Sequence, residues 1–201
     1  MPWQTTLSRH FAIGKVSLMT SGDQTDVIVF ARSQRSTTGW LSIGGLTVPC
    51  ALGRSGLGHC KREGDGRTPV GRWPIEAILY RPDRRMPWSR PQIPAARPLR
   101  TDLGWCDAVG DRNYNRMVPH PYDASAEQLW REDNLYDIIV VLGHNRRPRV
   151  QGFGSAIFLH VARCDADGRL QPTEGCVALR KRDLLTVLAR IKRSTCLRIR
   201  V

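Results

Sequence analysis

The chain has 201 residues, of which 41% are hydrophobic, and this is enough for one domain with a substantial core. Its ordinary Gly and Pro content argues against a disordered or collagen-like chain. No stretch approaches the roughly 18 consecutive apolar residues of a membrane span, so we expect none.

The formal net charge of +13 raises the question of an anionic partner. The basic residues are mostly arginines and are scattered along the chain, and no zinc-finger, RNP or basic-region pattern accompanies them. We therefore expect no nucleic-acid partner. The cysteines and histidines form none of the paired spacings of a zinc site, and no nucleotide-binding loop occurs, so neither a metal nor a cofactor is expected.

Strand patterns dominate the first part of the chain. A Gly-rich charged loop at 54–72 separates them, and a hairpin is predicted to turn at Gly44-Gly45. Residues 81–121 hold more than half of the 13 prolines and are predicted to form a long irregular loop that covers a site. The predicted strands and hairpin are residues 26–31, 40–53 and 73–80.

The second part of the chain adds two predicted helices. Residues 123–133 predict a short helix with a Ser125–Gln128 capping box, and residues 182–193 predict an amphipathic helix capped by Asp183. Further strands are predicted at 135–143, 155–162, 176–179 and 196–201. Together these elements predict a mainly β sandwich or barrel with two helices, in one domain of residues 26–201 after an N-terminal extension of residues 1–25.

The stretch 155–181 carries the residues that could perform chemistry. His160 lies near the end of a buried strand, and Cys176 follows sixteen positions later. A strand, a loop and a returning strand could bring the two side chains together, which is the minimum for a cysteine nucleophile with a general base. Gly175 would admit a substrate carbonyl close to backbone N–H groups, and Thr173 could tie the turn together. From the residues alone, a core histidine, a buried thiol and a turn glycine remain the alternative.

Two separated motifs resemble one known family. His160 followed by "TEGCVAL" resembles the His…Ser/Thr-x-Gly-Cys signature of the L,D-transpeptidase (YkuD-type) catalytic domain, and "KREGDGRTPVGRWPI" at 61–75 resembles that family's Thr-Pro-x-Gly segment. The resemblance spans roughly residues 26–201. It implies a YkuD-like β-sandwich or barrel and a thioester acyl-enzyme, with Cys176 as nucleophile, His160 as general base, and Gly175 and Thr173 in the catalytic turn.

The resemblance also implies the substrate. In this family the cysteine attacks the carbonyl between the third, diamino-acid residue of a peptidoglycan stem peptide and the terminal D-Ala. Water as acceptor gives an L,D-carboxypeptidase, whereas an amine acceptor gives a 3→3 cross-link or exchange of a D-amino acid. The implied partner is thus a peptidoglycan tetrapeptide or muropeptide.

The sequence departs from the family pattern at two positions. Glu174 replaces a histidine that many members have, and Ala178 stands where they have an arginine. Because the stem peptide carries several carboxylates, a cation is still expected at the site. Arg163 is the first candidate, Arg116 and Arg180 are weaker ones, and each has a solvated surface arginine as its alternative. His144, at a strand end, is a further candidate for the cleft, with a structural role as its alternative.

The acceptor and the location are interpreted from the N-terminus. It lacks the apolar segment and cleavage site of an export signal, so we expect a cytoplasmic L,D-carboxypeptidase of muropeptide recycling. A wrongly assigned start would permit a periplasmic transpeptidase. A non-catalytic binder of peptidoglycan or nucleic acid is the alternative from another class. In such a binder, Cys176 should not label far faster than the other five cysteines.

Overall fold

The computed structural model of the protein describes residues 26–84 and 96–201. Over these residues the chain forms fourteen β-strands and one α-helix. The strands are β1 Val27–Phe30, β2 Thr38–Ile43, β3 Leu46–Ala51, β4 Leu57–Gly58, β5 Thr68–Pro69, β6 Gly71–Tyr80, β7 Ala96–Pro98, β8 Leu103–Cys106, β9 Arg116–Pro119, β10 Ala126–Gln128, β11 Ile138–Leu142, β12 Phe158–Val161, β13 Val177–Leu179 and β14 Cys196–Arg200. The helix, α1, spans Lys181–Leu188.

Eight of these strands form a closed barrel. Their order is β11-β12-β13-β3-β2-β1-β14-β6, and β6 pairs back with β11. The ten-residue β6 can do this because its first part pairs with β14 and its second part with β11. Most strand pairs are antiparallel, but β1–β14, β12–β13, β6–β7 and β4–β5 are parallel. The predicted mainly β sandwich or barrel is therefore confirmed.

Two hydrophobic clusters lie on opposite faces of the barrel wall. Val140 and Leu159 belong to the first cluster, to which α1 contributes Leu184. Their neighbours Ile139 and Phe158 belong to the second cluster. Since side chains alternate along a strand, β11, which is buried at all five positions, contributes to both clusters. The candidate catalytic residues lie on the face of the second cluster.

A small sheet of three strands, in the order β10-β8-β9, packs on this outer face. Trp105 of β8 is buried, and its ring packs edge-on against Phe158 with 5.1 Å between ring centroids. The prediction of one long irregular loop over 81–121 is thus wrong over β7, β8 and β9, while residues 85–95 lie outside the described residues. Pro98 and Pro119 are the last residues of edge strands, where a proline removes no ladder hydrogen bond.

Residues 123–133 do not form the predicted helix. Strand β10 lies within this stretch and pairs with β8, with Glu127 opposite Trp105. The Ser125 carbonyl accepts a hydrogen bond from Asp107 N at 3.2 Å, so the residue extends the sheet instead of capping a helix. Pairing with a strand about twenty residues away has overridden the local helical pattern.

The second predicted helix is confirmed as α1, with different ends. It begins at Lys181 and ends at Leu188, and Arg180 occupies the N-cap position without a side-chain cap. Asp183 therefore lies in the first turn and is not the predicted cap. A carboxylate in the first turn still interacts favourably with the helix dipole.

Candidate active site

Cys176 and His160 lie on the same face of two neighbouring strands. Strands β12 and β13 pair in parallel, with His160 opposite Ala178. Cys176 precedes Ala178 by two residues, so it lies diagonally across the ladder from His160. Because alternate side chains share a face, both point away from the barrel interior. The expected strand, loop and neighbouring strand are present, and because β12 and β13 run parallel, residues 162–176 form the crossover between them.

Both side chains line one cleft of about 550 Å³. The β8–β10 sheet forms one wall of this cleft, and the turn before Cys176 forms another. The volume is typical of a site for a single small ligand. The lining residues that carry the following argument are Asp107, Glu127, Arg131, Tyr136, Ser155, Ala156, His160, Arg163, Thr173 and Cys176.

The Cys176 thiol is held in its neutral form. The side chain is buried, with the residue 8% exposed. Its Sγ donates to the Ala156 carbonyl at 3.2 Å and accepts from Phe158 N at 3.3 Å. Burial raises the pKa of Cys176 to about 12, and the Glu127 carboxyl adds to the rise. The resting site therefore contains a thiol and not a thiolate.

This burial changes the meaning of a labelling experiment. Two other cysteines, Cys60 and Cys164, are exposed, whereas Cys176 is buried. Reaction with an alkylating agent requires an accessible thiolate. Slow labelling of Cys176 is thus expected even in an active enzyme, and it does not identify a non-catalytic binder.

The imidazole of His160 has a defined tautomer. Its Nδ1 lies 2.8 Å from the Val161 carbonyl oxygen, which can only accept, so Nδ1 carries the proton and Nε2 keeps its lone pair. Burial lowers the pKa of His160 to about 4, which leaves the ring neutral near neutral pH. The Tyr136 ring packs edge-on against it at 5.2 Å. A neutral imidazole with a free Nε2 can accept a thiol proton.

Two threonines hold the turn that precedes Cys176. Thr173 Oγ1 accepts from Gly175 N at 3.1 Å and donates to the Cys176 carbonyl at 2.6 Å. Thr68, from the upstream Thr-Pro-x-Gly segment, donates to the same carbonyl at 3.4 Å and accepts from Gly53 N at 2.8 Å. The two motifs, separated by about a hundred residues, thus meet behind the thiol.

Glycine is required at position 175. Its φ of +140° lies in a region that residues with a side chain rarely adopt. A Cβ at this position would lie 2.9 Å from the Arg67 carbonyl oxygen. The backbone of the turn therefore approaches residues 67–68 more closely than a residue with a side chain at position 175 would permit.

The acceptor of the thiol hydrogen bond has an unusual backbone. Ala156 has a φ of +51°, and a left-handed alanine carries conformational strain. Asn115 holds it in place, since its Oδ1 accepts from Ala156 N at 3.3 Å and from Trp105 Nε1 at 2.9 Å. The Asn115 Nδ2 donates to the Asn145 carbonyl at 2.8 Å. This buried amide links the small sheet to the segment that orients the Cys176 thiol.

The proposed cation positions and His144 have different locations. Arg163 lines the cleft, with 63% of its side chain exposed and a 3.6 Å contact to Asp133. Arg116 is exposed on β9 and is not among the described residues that line the cleft. His144 is buried, with Nε2 3.0 Å from the Phe153 carbonyl oxygen, and it also lies outside that lining.

Residues 107–136 contribute a charged wall of the cleft that sequence motifs do not reveal. Asp107, Glu127 and Arg131 line the cleft together with Tyr136, whose hydroxyl donates to Glu127 Oε1 at 2.5 Å. Reading 123–133 as a helix concealed this wall, because only the pairing of β10 with β8 places Glu127 beside the cleft. No local motif marks these residues.

Within residues 26–84 and 96–201, no group of three or more His, Cys, Asp or Glu side chains could hold a metal ion. The same residues contain no helix that is long and apolar enough to cross a membrane.

The L,D-transpeptidase catalytic domain family (YkuD) matches residues 25–200, which is most of the chain. A comparison with curated proteins found no match. The family match agrees with the closed β-barrel. The protein therefore belongs to the YkuD family of L,D-transpeptidase catalytic domains, an enzyme family that acts on peptidoglycan peptides.

Proposed function

We propose that the protein is an L,D-carboxypeptidase that removes the terminal D-Ala from the tetrapeptide stem of muropeptides through a thioester on Cys176. The observation that supports this most is the juxtaposition of Cys176, His160 and the Thr173–Gly175 turn in one cleft. The proposed setting is muropeptide recycling in the cytoplasm, and a periplasmic setting is the alternative.

In the proposed reaction, the thiol leaves the Ala156 carbonyl and passes its proton to His160 Nε2 as Sγ attacks the substrate carbonyl carbon. Backbone N–H groups of the Gly175–Cys176 turn stabilise the resulting oxyanion. The carbon–nitrogen bond then breaks, and His160 returns the proton to the departing amine of D-Ala. Water, deprotonated by His160, attacks the thioester and releases a tripeptide carboxylate and the thiol.

Both reacting groups are neutral before the substrate binds. The pKa of Cys176 is raised to about 12 and that of His160 is lowered to about 4, in each case mainly because burial disfavours the charged form. An ion pair between them would be costly in the empty site. Proton transfer is therefore proposed to accompany bond formation to the substrate.

The size of the cleft supports water as the acceptor. About 550 Å³ is in the range of a single small-ligand site, so one stem peptide occupies most of it. Water needs no second site of its own. A D-amino acid or a stem-peptide amine is the second candidate acceptor, and the carboxyl groups of Glu63 and Glu127 on the cleft lining favour an amine.

The test is mass spectrometry of purified protein incubated with a disaccharide-tetrapeptide, with and without an added D-amino acid. The proposal predicts tripeptide and free D-Ala, lost in Cys176→Ala and retained in Cys60→Ala, which removes an exposed cysteine. An exchanged or cross-linked product would favour an amine acceptor. Absence of both turnover and a covalent adduct would contradict the proposal and favour a binding protein.

A further inference from the structure

We propose that Asp107 and Glu127 form a subsite of the cleft that binds the side-chain ammonium group of the substrate's diamino acid. The inference rests on the proposed function and assigns a ligand to the wall that faces Cys176. It would make these two residues determinants of specificity, in a part of the chain that carries neither of the two motifs.

The two carboxyl groups are neighbours on the small sheet. Glu127 lies on β10, and Asp107 directly follows β8, whose Cys106 pairs with Ala126. Asp107 contributes to the raised pKa of Glu127, although burial is the main cause. Both side chains line the cleft.

Neither carboxyl group has a cation within ion-pair distance among the residues that the structure describes. Arg131 is near Glu127, but its guanidinium pairs with Asp133 at 2.6 Å. Many other acidic side chains in this chain of net charge +13 do pair with arginine or lysine. Partly buried carboxylates without a counter-ion are costly, so a cationic ligand would compensate them.

Unsatisfied acceptors in the cleft provide an independent observation. Asp107 Oδ1 is buried and has no hydrogen-bond partner among the described residues. Ser155, only 6% exposed, also lines the cleft, and its Oγ lies near the Tyr114 hydroxyl without a well-formed hydrogen bond. Buried polar atoms without partners are rare in folded proteins and point to a missing ligand. An ammonium group has three N–H donors, which the neighbouring Asp107 and Glu127 can accept, and Ser155 lines the same cleft.

The geometry of Glu127 leaves it able to bind such a ligand. The Tyr136 hydroxyl donates to Oε1 at 2.5 Å and orients the carboxyl group, while Oε2 makes no hydrogen bond within the described part of the chain. Because Glu127 raises the pKa of Cys176, an ammonium bound between them would oppose this effect. Substrate binding would thereby favour the thiolate of Cys176 when the substrate carbonyl is in position for attack.

The test compares two synthetic tetrapeptides that carry lysine or Nε-acetyl-lysine at the third position. Wild-type protein should have a kcat/KM at least about tenfold higher for the lysine peptide, because acetylation removes the charge. In Glu127→Gln and Asp107→Asn this ratio should fall towards one. Glu132→Gln, whose side chain is 76% exposed and outside the cleft lining, should keep the wild-type ratio.

Calorimetry with Cys176→Ala separates this inference from the proposed function. If the lysine peptide binds more tightly than its acetylated form, and Glu127→Gln in the same background removes the preference, the subsite stands even without turnover. Equal affinities would overturn the subsite while leaving the proposed reaction intact. If the substitutions reduce only the transfer to an added amine and leave the donor preference unchanged, the acidic wall serves the acceptor, and our assignment to the donor is wrong.

Discussion

Acidification should destabilise the protein through His160. Burial lowers the pKa of this imidazole from 6.5 to about 4. Between these values the unfolded chain binds a proton that the folded protein excludes, so stability is lost as the pH falls. At about 1.4 kcal/mol per pKa unit, the full effect is about 3 kcal/mol, of which about 2 kcal/mol is lost between about pH 7 and about pH 5.

The assay is urea-induced unfolding of the wild type and of His160→Gln across this pH range. The substitution removes the titrating group, so the difference between the two free energies of unfolding isolates His160 from other groups such as His144. The wild-type advantage should shrink by about 2 kcal/mol on acidification. An exposed histidine provides the control, since His59→Gln should follow the wild-type curve.

A constant difference between wild type and His160→Gln at all pH values would refute this reasoning. It would mean that the imidazole takes up its proton as readily in the folded protein as in the unfolded chain. The assignment of a buried, neutral general base would then be wrong.

Three further predictions concern the resting site. Iodoacetamide should modify the exposed Cys60 before the buried Cys176, as peptide mapping would show; preferential labelling of Cys176 would contradict a neutral thiol. Gly175→Ala should lower the free energy of unfolding by about 2 kcal/mol, measured in urea, and abolish turnover, since the Cβ meets a backbone oxygen; normal activity would refute the required glycine. Asn115→Ala should cost about 3 kcal/mol in the same assay, because Ala156 N and other buried groups lose their partner.

Local patterns were sufficient for much of the barrel. The hairpin at Gly44-Gly45 appears in the structure as β2 and β3, because two glycines with positive φ satisfy a tight turn between alternating strands. The apolar run at 135–143 contains β11, which is buried on both faces. The four-residue spacing of Leu184 and Leu188 corresponds to the buried face of α1. Each of these signals is contained within a few turns or residues of the chain.

Patterns failed where a distant partner determined the conformation. Residues 126–128 form a strand because β8 provides their hydrogen-bond partners. The sequence of residues 123–133 contains no signal for these partners. The prolines of residues 81–121 predict an irregular loop, yet Pro98 and Pro119 stand at strand ends. In both cases the conformation depends on pairing with a neighbouring strand, which residue types alone do not reveal.

The sequence by itself was sufficient for the family and for the hypothesis that His160 acts with Cys176, because both depend on residue types at short spacings. Only the tertiary structure decided that β12 and β13 run parallel, that Thr68 braces the turn, and that Glu127 lines the same cleft as the thiol. It also decided the protonation of Cys176 and His160. Burial and long-range pairing set pKa values and cleft walls, and both arise from contacts between residues that lie far apart along the chain.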